Sequence, residues 1–280
     1  MFIRGFLQSF FIVAILLTAG IIGYQVTMKL WMTPPEKTEM VKKPEPTAIP
    51  ITEPSVDDVS KNLIFCYDSE NHIISKLVLE VFHCERKQLT YITIPMSTQF
   101  TMTDVLYKKL IAVQPSIPQM IRLSTMIRYL DSSVIFDYGV LMIEDMLDLD
   151  ISYYSVMPTE FYQSLFEERS IPVGIRAAGL LLEAEQSEAE MVVAEVFTEE
   201  CIERLGTLKN KEEISSYIKT LYEEINSNLS VDGKMNYIES YSMTSMEDVS
   251  FTRLGGNVRN SGFTVDESKV QQQLQELGAY

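Results

Sequence analysis

The chain has 280 residues, 46% of them apolar and 22% charged, with 23 Lys and Arg against 39 Asp and Glu and a formal net charge of -16. Residues 55–280 carry 18 basic and 35 acidic side chains. An acidic surface without a basic stripe excludes nucleic-acid binding, which depends on cations releasing phosphate counterions.

The first element in the chain is an uncharged run, Phe6–Val26. Its 21 residues, at a helical rise of about 1.5 Å, span about 30 Å, the thickness of a bilayer's hydrocarbon core. Arg4 and Lys29 bracket it, and Trp31 falls where an interfacial aromatic sits. The run is too long for the core of a cleaved signal peptide, and no small-x-small site follows it. Residues 1–30 are therefore expected to form one transmembrane signal anchor. Charge counting alone does not settle its orientation, because Lys29, Lys37, Lys42 and Lys43 lie after the helix among glutamates. Pro34–Pro54 holds six of the eleven prolines. Fixed φ angles and missing amide donors predict an extended stalk over residues 31–58.

Residues 59–280 remain for folding, enough for one domain with its own core. Three runs of β-branched and aromatic residues come first: Asn62–Asp68, Lys76–His83 and Gln88–Pro95, the last two joined by a CERK turn. Helical spacing is expected over Thr103–Val113 and Ile117–Leu130, then a strand Val134–Tyr138, a helix Val140–Leu147 and a strand Ile151–Val156. The second half predicts a helix over Ser187–Leu205, with Ala189, Val192, Val193, Val196 and Phe197 on one face. Helices over Glu212–Asn226 and Val231–Tyr241 follow, the latter capped by Ser230. Strands Val249–Leu254 and Phe263–Val265 flank a glycine-rich turn, and Asp266 caps a last helix ending at Gly278. Alternating strands and helices imply an α/β fold, a central mixed β-sheet sandwiched between helices.

The three cysteines (Cys66, Cys84, Cys201) form no CxxC and read as buried small hydrophobes, with a Cys66–Cys84 disulfide as the other option. Met120, Met126, Met142 and Met146 read as core. No HExxH, GxSxG or GxxxxGK[ST] is present, which disfavours zincins, serine hydrolases and P-loop enzymes.

The order anchor, stalk, then NLIFCYDS … KLVLEVFHCERKQLTYITIP resembles the LytR–CpsA–Psr family of bacterial cell-envelope proteins. So do SSVIFDYGVLMIEDMLDLDISYYSVMP and the tail from NLSVDGKMNYIESY to FTRLGGNVRNSGFTVDESKVQQQL. The resemblance implies a domain on the outer face of the cell membrane. It also implies an activity: transfer of a glycopolymer from a polyprenyl-pyrophosphate carrier to peptidoglycan, aided by arginines and a divalent ion such as Mg2+.

The family's charged positions are mostly lost. Asp68 matches the acidic residue after the first strand. The Arg-x-Asp expected near Ile73–Ser75 is absent, and Ile-Pro-Arg-Asp has become Ile94-Pro95-Met96-Ser97. The paired glycines have become Asp148-Leu149-Asp150. Between Arg176 and Arg204 there is no Lys or Arg, but there are eight glutamates. Each charge-assisted phosphate contact contributes about 1.5–3 kcal/mol, so this collective loss removes orders of magnitude of affinity.

The expectation is a non-catalytic relative that holds a polyprenyl lipid or lipid-linked glycan, or pairs with an active family member. A second reading keeps transferase activity. Asp68 and Arg176 would then be the catalytic residues and Asp68 a Mg2+ ligand, with Lys76, Arg122 and Arg128 as further candidates converging on one pocket mouth. A third drops the family for a membrane-anchored scaffold with an acidic domain.

Overall fold

Alternating burial along three successive strands sets the frame. In the computed structural model, which describes residues 49–180, 190–259 and 262–280, β1 (Val59–Asp68), β2 (Ile73–His83) and β3 (Gln88–Thr93) form an antiparallel meander. There follow β4 (Gln99–Thr101), α1 (Asp104–Val113), β5 (Met120–Arg122), α2 (Ile135–Leu147), β6 (Tyr153–Pro158), α3 (Thr159–Leu165), β7 (Phe166–Pro172), β8 (Ile175–Arg176) and α4 (Ala177–Leu180). The remainder runs β9 (Met191–Phe197), α5 (Glu199–Thr207), α6 (Lys211–Glu224), β10 (Asn226–Ser227), α7 (Val231–Met235), α8 (Ile238–Ser242), β11 (Val249–Arg253), β12 (Gly256–Arg259), β13 (Gly262–Val265) and α9 (Glu267–Glu276).

Seven strands form one sheet in the order β10-β6-β1-β2-β3-β11-β8. The β1–β6 and β3–β11 pairs are parallel and the rest antiparallel, so the sheet is mixed. Because side chains alternate along each strand, the sheet divides its apolar residues between two layers. Leu63, Phe65, Leu79 and Ile92 face the layer completed by α1, α2 and α9. Ile64, Val78, Phe82 and Tyr91 face the layer completed by α3, α5 and the β7–β9 hairpin. Both layers are complete within residues 48–280, which form one compact unit, so this unit has what it needs to fold alone. Ile49 is buried in the first layer and Thr52 donates to Glu144 at 2.8 Å, so the packed chain begins ahead of Val59.

Local chemistry explains most element ends. Thr103, Thr198, Asn210, Ser230 and Asp266 each accept a backbone N–H as N-cap. Asp148 ends α2 in the left-handed region (φ 50°), although no glycine is there to ease it.

Four expectations are corrected. Val134–Tyr138 is not a strand: Ile135 opens α2, whose buried stripe Ile135, Tyr138, Met142 and Ile143 continues the 3.6-residue period. Ile117–Leu130 is not one helix but β5 followed by a 3-10 turn, Leu123–Arg128, because β5 pairs with β4. Ser187–Leu205 is broken at Thr198: Met191–Phe197 pairs with β7 as a strand and only Glu199–Thr207 is helical. Val231–Tyr241 is two short helices rather than one.

Met126 and Met142 are fully buried, whereas Met120, on the outer face of β5, is 56% exposed. All three cysteines are free, with Cys84 only half-buried. A Cys66–Cys84 bridge is excluded by register. Cys66 sits opposite Lys76, while Cys84 follows His83, opposite Val59, some seven residues or about 23 Å along β1. Among the described residues no helix is long and apolar enough to cross a membrane. The expected anchor, Phe6–Val26, and most of the stalk lie outside the described residues.

Candidate functional site

The Ile94-Pro95-Met96-Ser97 turn leaves the end of β3 and forms one wall of a pocket of about 300 Å³. Ser75 and Lys76 from β2, Glu168 from β7, Glu195 from β9 and Arg253 from β11 complete it. Gly262 (φ 137°) brings the β12–β13 hairpin over this turn. A Cβ there would sit 2.6 Å from the Ser97 carbonyl oxygen, so only glycine permits the approach.

The pocket's electrostatics are decided by Lys76. Its Nζ donates to Glu168 Oε2 and Glu195 Oε1, both at 2.6 Å. Burial disfavours the charged ammonium, but the hydrogen bonds to Glu168 and Glu195 outweigh it and hold Lys76 above its ordinary range. Glu195 is buried, its side chain 3% exposed, and its own amide donates to Thr93 Oγ1 at 2.7 Å. The remaining cation, Arg253, lies 5.5 Å over the Phe263 ring, and no carboxylate among the described residues pairs with it. Two cations therefore face two carboxylates, and the one aimed at the centre is already neutralised. Glu168 and Glu195 belong to the glutamate-rich stretch and its neighbour, where the sequence predicted an acidic replacement for a phosphate cradle.

On the same side of the sheet, a cavity of about 200 Å³ opens between the strands and α5, α6 and α8. Its walls are apolar, including Ile64, Leu165, Phe197, Leu221 and Ile225. Its floor is not. Tyr153, Asn62, Glu80 and Tyr91 are successive cross-strand partners, so they form one polar row across the sheet. Lys234 of α7 descends onto this row, donating to Glu80 Oε1 at 3.1 Å and to Tyr153 Oη at 2.5 Å. Tyr91 donates to Glu80 Oε2 at 3.0 Å. Burial works against the Lys234 charge, yet the Glu80 carboxylate and the tyrosine oxygens keep it well above the usual lysine range. Burial pushes the Tyr91 and Tyr153 hydroxyls well up, so both stay protonated donors.

A larger cleft of about 430 Å³ lies at the ends of α1 and α2. Its Glu144 and Asp145 are committed to fixed partners, Glu144 to Thr52 and the Ile151 amide, Asp145 to Thr103. It is a seam between elements.

The predicted site residues do not converge on one pocket, although the segment between Arg122 and Arg128 is tied to the Ile-Pro turn by the Leu123 amide donating to the Thr98 carbonyl and the Ser124 amide to that of Met96. Only Lys76 lines the pocket beside the Ile-Pro turn. Asp68 ends β1 and accepts from the Glu70 and Asn71 amides and from Asn71 Nδ2, at 3.0, 2.9 and 2.7 Å. These bonds, the Asn71 side chain's first, hold its carboxyl below the usual range. Arg176 lies on β8, the far edge strand of the sheet. Arg122 and Arg128 sit on β5 and in the turn after it. Asp68 does not fit as a Mg2+ ligand. Its Oδ1 accepts two bonds and its Oδ2 one from the turn, and no group of three or more His, Cys, Asp or Glu among the described residues is placed to hold a metal ion with it. Glu80, Lys234 and Arg253 carried no signal that spacing could expose, since their meaning lies in cross-strand register and in a helix 154 residues away.

The chain has a LytR–CpsA–Psr-like fold. Among solved structures it is similar to B. subtilis TagV, with 11% identity and a TM-score of 0.51 over 78% of this chain and 95% of that one. It is likewise similar to protein gbs0355 from Streptococcus agalactiae, with 10% identity and a TM-score of 0.50 over 79% of this chain and 89% of that one. No family model matches the sequence, and no curated protein does.

Proposed function

We propose that this protein is a cell-envelope relative of the LytR–CpsA–Psr proteins that has given up glycopolymer phosphotransfer and serves as a binding or regulatory component. It is anchored by Phe6–Val26 in the cell membrane, with its domain extracytoplasmic. Its ligand is an isoprenoid-type chain held between sheet and helices, or its partner an active relative. The observation that carries this reading is the fixing of Lys76 between Glu168 and Glu195 beside Met96. A pyrophosphate entering there would meet two carboxylates and could gain Lys76 only by breaking both of its ion pairs, which leaves Arg253 as the one cation of the pocket, among the described residues, not already paired. Anion binding needs donors that are not already satisfied.

The test incubates the full-length protein with a polyprenyl-pyrophosphate-linked glycan, peptidoglycan acceptor and Mg2+. No transferred glycan is expected, whereas measurable transfer would overturn the reading and favour the enzymatic alternative.

A further inference from the structure

The cavity above the polar row is unlike a plain hydrocarbon slot. Its volume, about 200 Å³, is slightly above that of an engineered protein cavity of about 150 Å³ that holds benzene. It has room for about ten non-hydrogen atoms. The charges within it, Lys234 and Glu80, cancel, and their side chains are 11% and 9% exposed.

Hydrogen bonding at the floor is incomplete. An ammonium has three donors, and Lys234 spends two, on Glu80 and Tyr153. The Tyr222 and Tyr241 hydroxyls, both at the cavity wall, make no hydrogen bond of ordinary geometry. Lys234 lies 5.1 Å from the Tyr241 ring centre and near enough to the Tyr241 hydroxyl to work against the effect of burial on it.

We infer that this cavity is a site for a short, neutral, single-chain molecule: an apolar body of about ten non-hydrogen atoms bearing one oxygen that seats between Lys234 and Tyr241. The inference rests on the reading that an apolar chain enters between sheet and helices, and it narrows that chain's length and polarity. A hydroxyl oxygen would accept from Lys234 and exchange a hydrogen bond with Tyr241. A methyl group in its place would bury those donors unmatched. A carboxylate would add a charge that the cancelled pair does not balance. A longer chain would have to leave the cavity or cover the ion pair with nothing to replace its lost solvation.

The test is titration of residues 48–280 with hexanol, octanol, dodecanol and hexadecanol, and with nonane as the isostere of octanol, followed by saturation-transfer NMR and thermal shift. Octanol is expected to bind about tenfold tighter than nonane. Affinity should rise from hexanol to octanol and fall about tenfold by hexadecanol. Tyr241→Phe, which keeps the ion pair, and Lys234→Met should each narrow the octanol–nonane gap to about threefold or less. Equal binding of nonane and octanol, tighter binding of hexadecanol, or no alcohol binding to a folded domain would overturn the inference. A long prenyl phosphate that binds without a length limit also overturns it, while leaving the wider reading intact. Glycan transfer by the full-length protein would instead remove the wider reading and leave the length limit to be judged by these titrations.

Discussion

Lys234 and Glu80, separated by 154 residues, meet at 3.1 Å inside an otherwise apolar layer. Glu80 is carried there by the alternation of β2, where Leu79 and Val81 face the other layer. Lys234 arrives from a helix fixed by the Ser230 cap. The pair is closed by tyrosines on either side, Tyr153 and Tyr91, each a direct cross-strand neighbour of a member of the same row.

Removing one partner strands the other. Lys234→Ala is expected to cost about 3–5 kcal/mol, because Glu80 would be left buried without its partner. Lys234→Met combined with Glu80→Leu should recover most of that loss. Urea midpoints for the two single variants and the double variant measure the coupling.

Alkaline pH should weaken the fold through the same cluster. Lys234 is raised above its ordinary 10.5, so the stability it contributes is complete below that pH and is lost as pH rises through the folded value. Tyr91 and Tyr153, raised above 10.0, act in the same direction, since the unfolded chain releases their protons first. Urea midpoints are therefore expected to be level near neutrality and to fall above about pH 10. The Lys234→Met, Glu80→Leu variant should show a shallower fall.

The two carboxylates on Lys76 are not equivalent. Glu195 is 3% exposed and Glu168 57%. Lys76→Ala leaves Glu195 buried and unpaired, and with Lys76 itself a third open to water the cost is expected to be about 1–3 kcal/mol. Glu168→Ala should cost under about 1 kcal/mol. Thermal denaturation of the two variants gives the comparison.

Returning charge to the pocket should return anion affinity. Met96→Arg with Glu168→Gln adds one cation and releases Lys76 from one carboxylate, beside an Arg253 that has no ion-pair partner among the described residues. Inorganic pyrophosphate is expected to bind this variant at least about tenfold more tightly than the natural protein, as measured by calorimetry.

The parts legible in the sequence were those whose local pattern and tertiary use agree. β1 to β3 alternate over two dry faces, and Ser230 and Asp266 cap helices where a cap was expected. Val134–Tyr138 misled because its residues favour strands, yet the stripe running on to Leu147 buries more as a helix. Met191–Phe197 misled because Val192, Val193 and Val196 satisfy either period, and only pairing with β7 selects the strand. At the site, the uncharged Met96 after the Ile94-Pro95 pair and the excess of glutamate were readable. The partner choice of Lys76 was not, since Glu168 and Glu195 lie 92 and 119 residues away.

The polar row also bears on how the strands find their stagger. Were β2 to slide by one position against β1 so that Glu80 came opposite Leu63, Glu80 would turn into the dry layer and Val81 would take its place opposite Asn62. A carboxylate misaligned in this way would lose Lys234 and Tyr91, which answer it in the native register, and burying it without them carries a penalty of several kcal/mol that hydrophobic contacts alone would not impose. Folding errors of alignment are thus rejected by chemistry as well as by shape, and the meander has one setting in which every member of the row is answered.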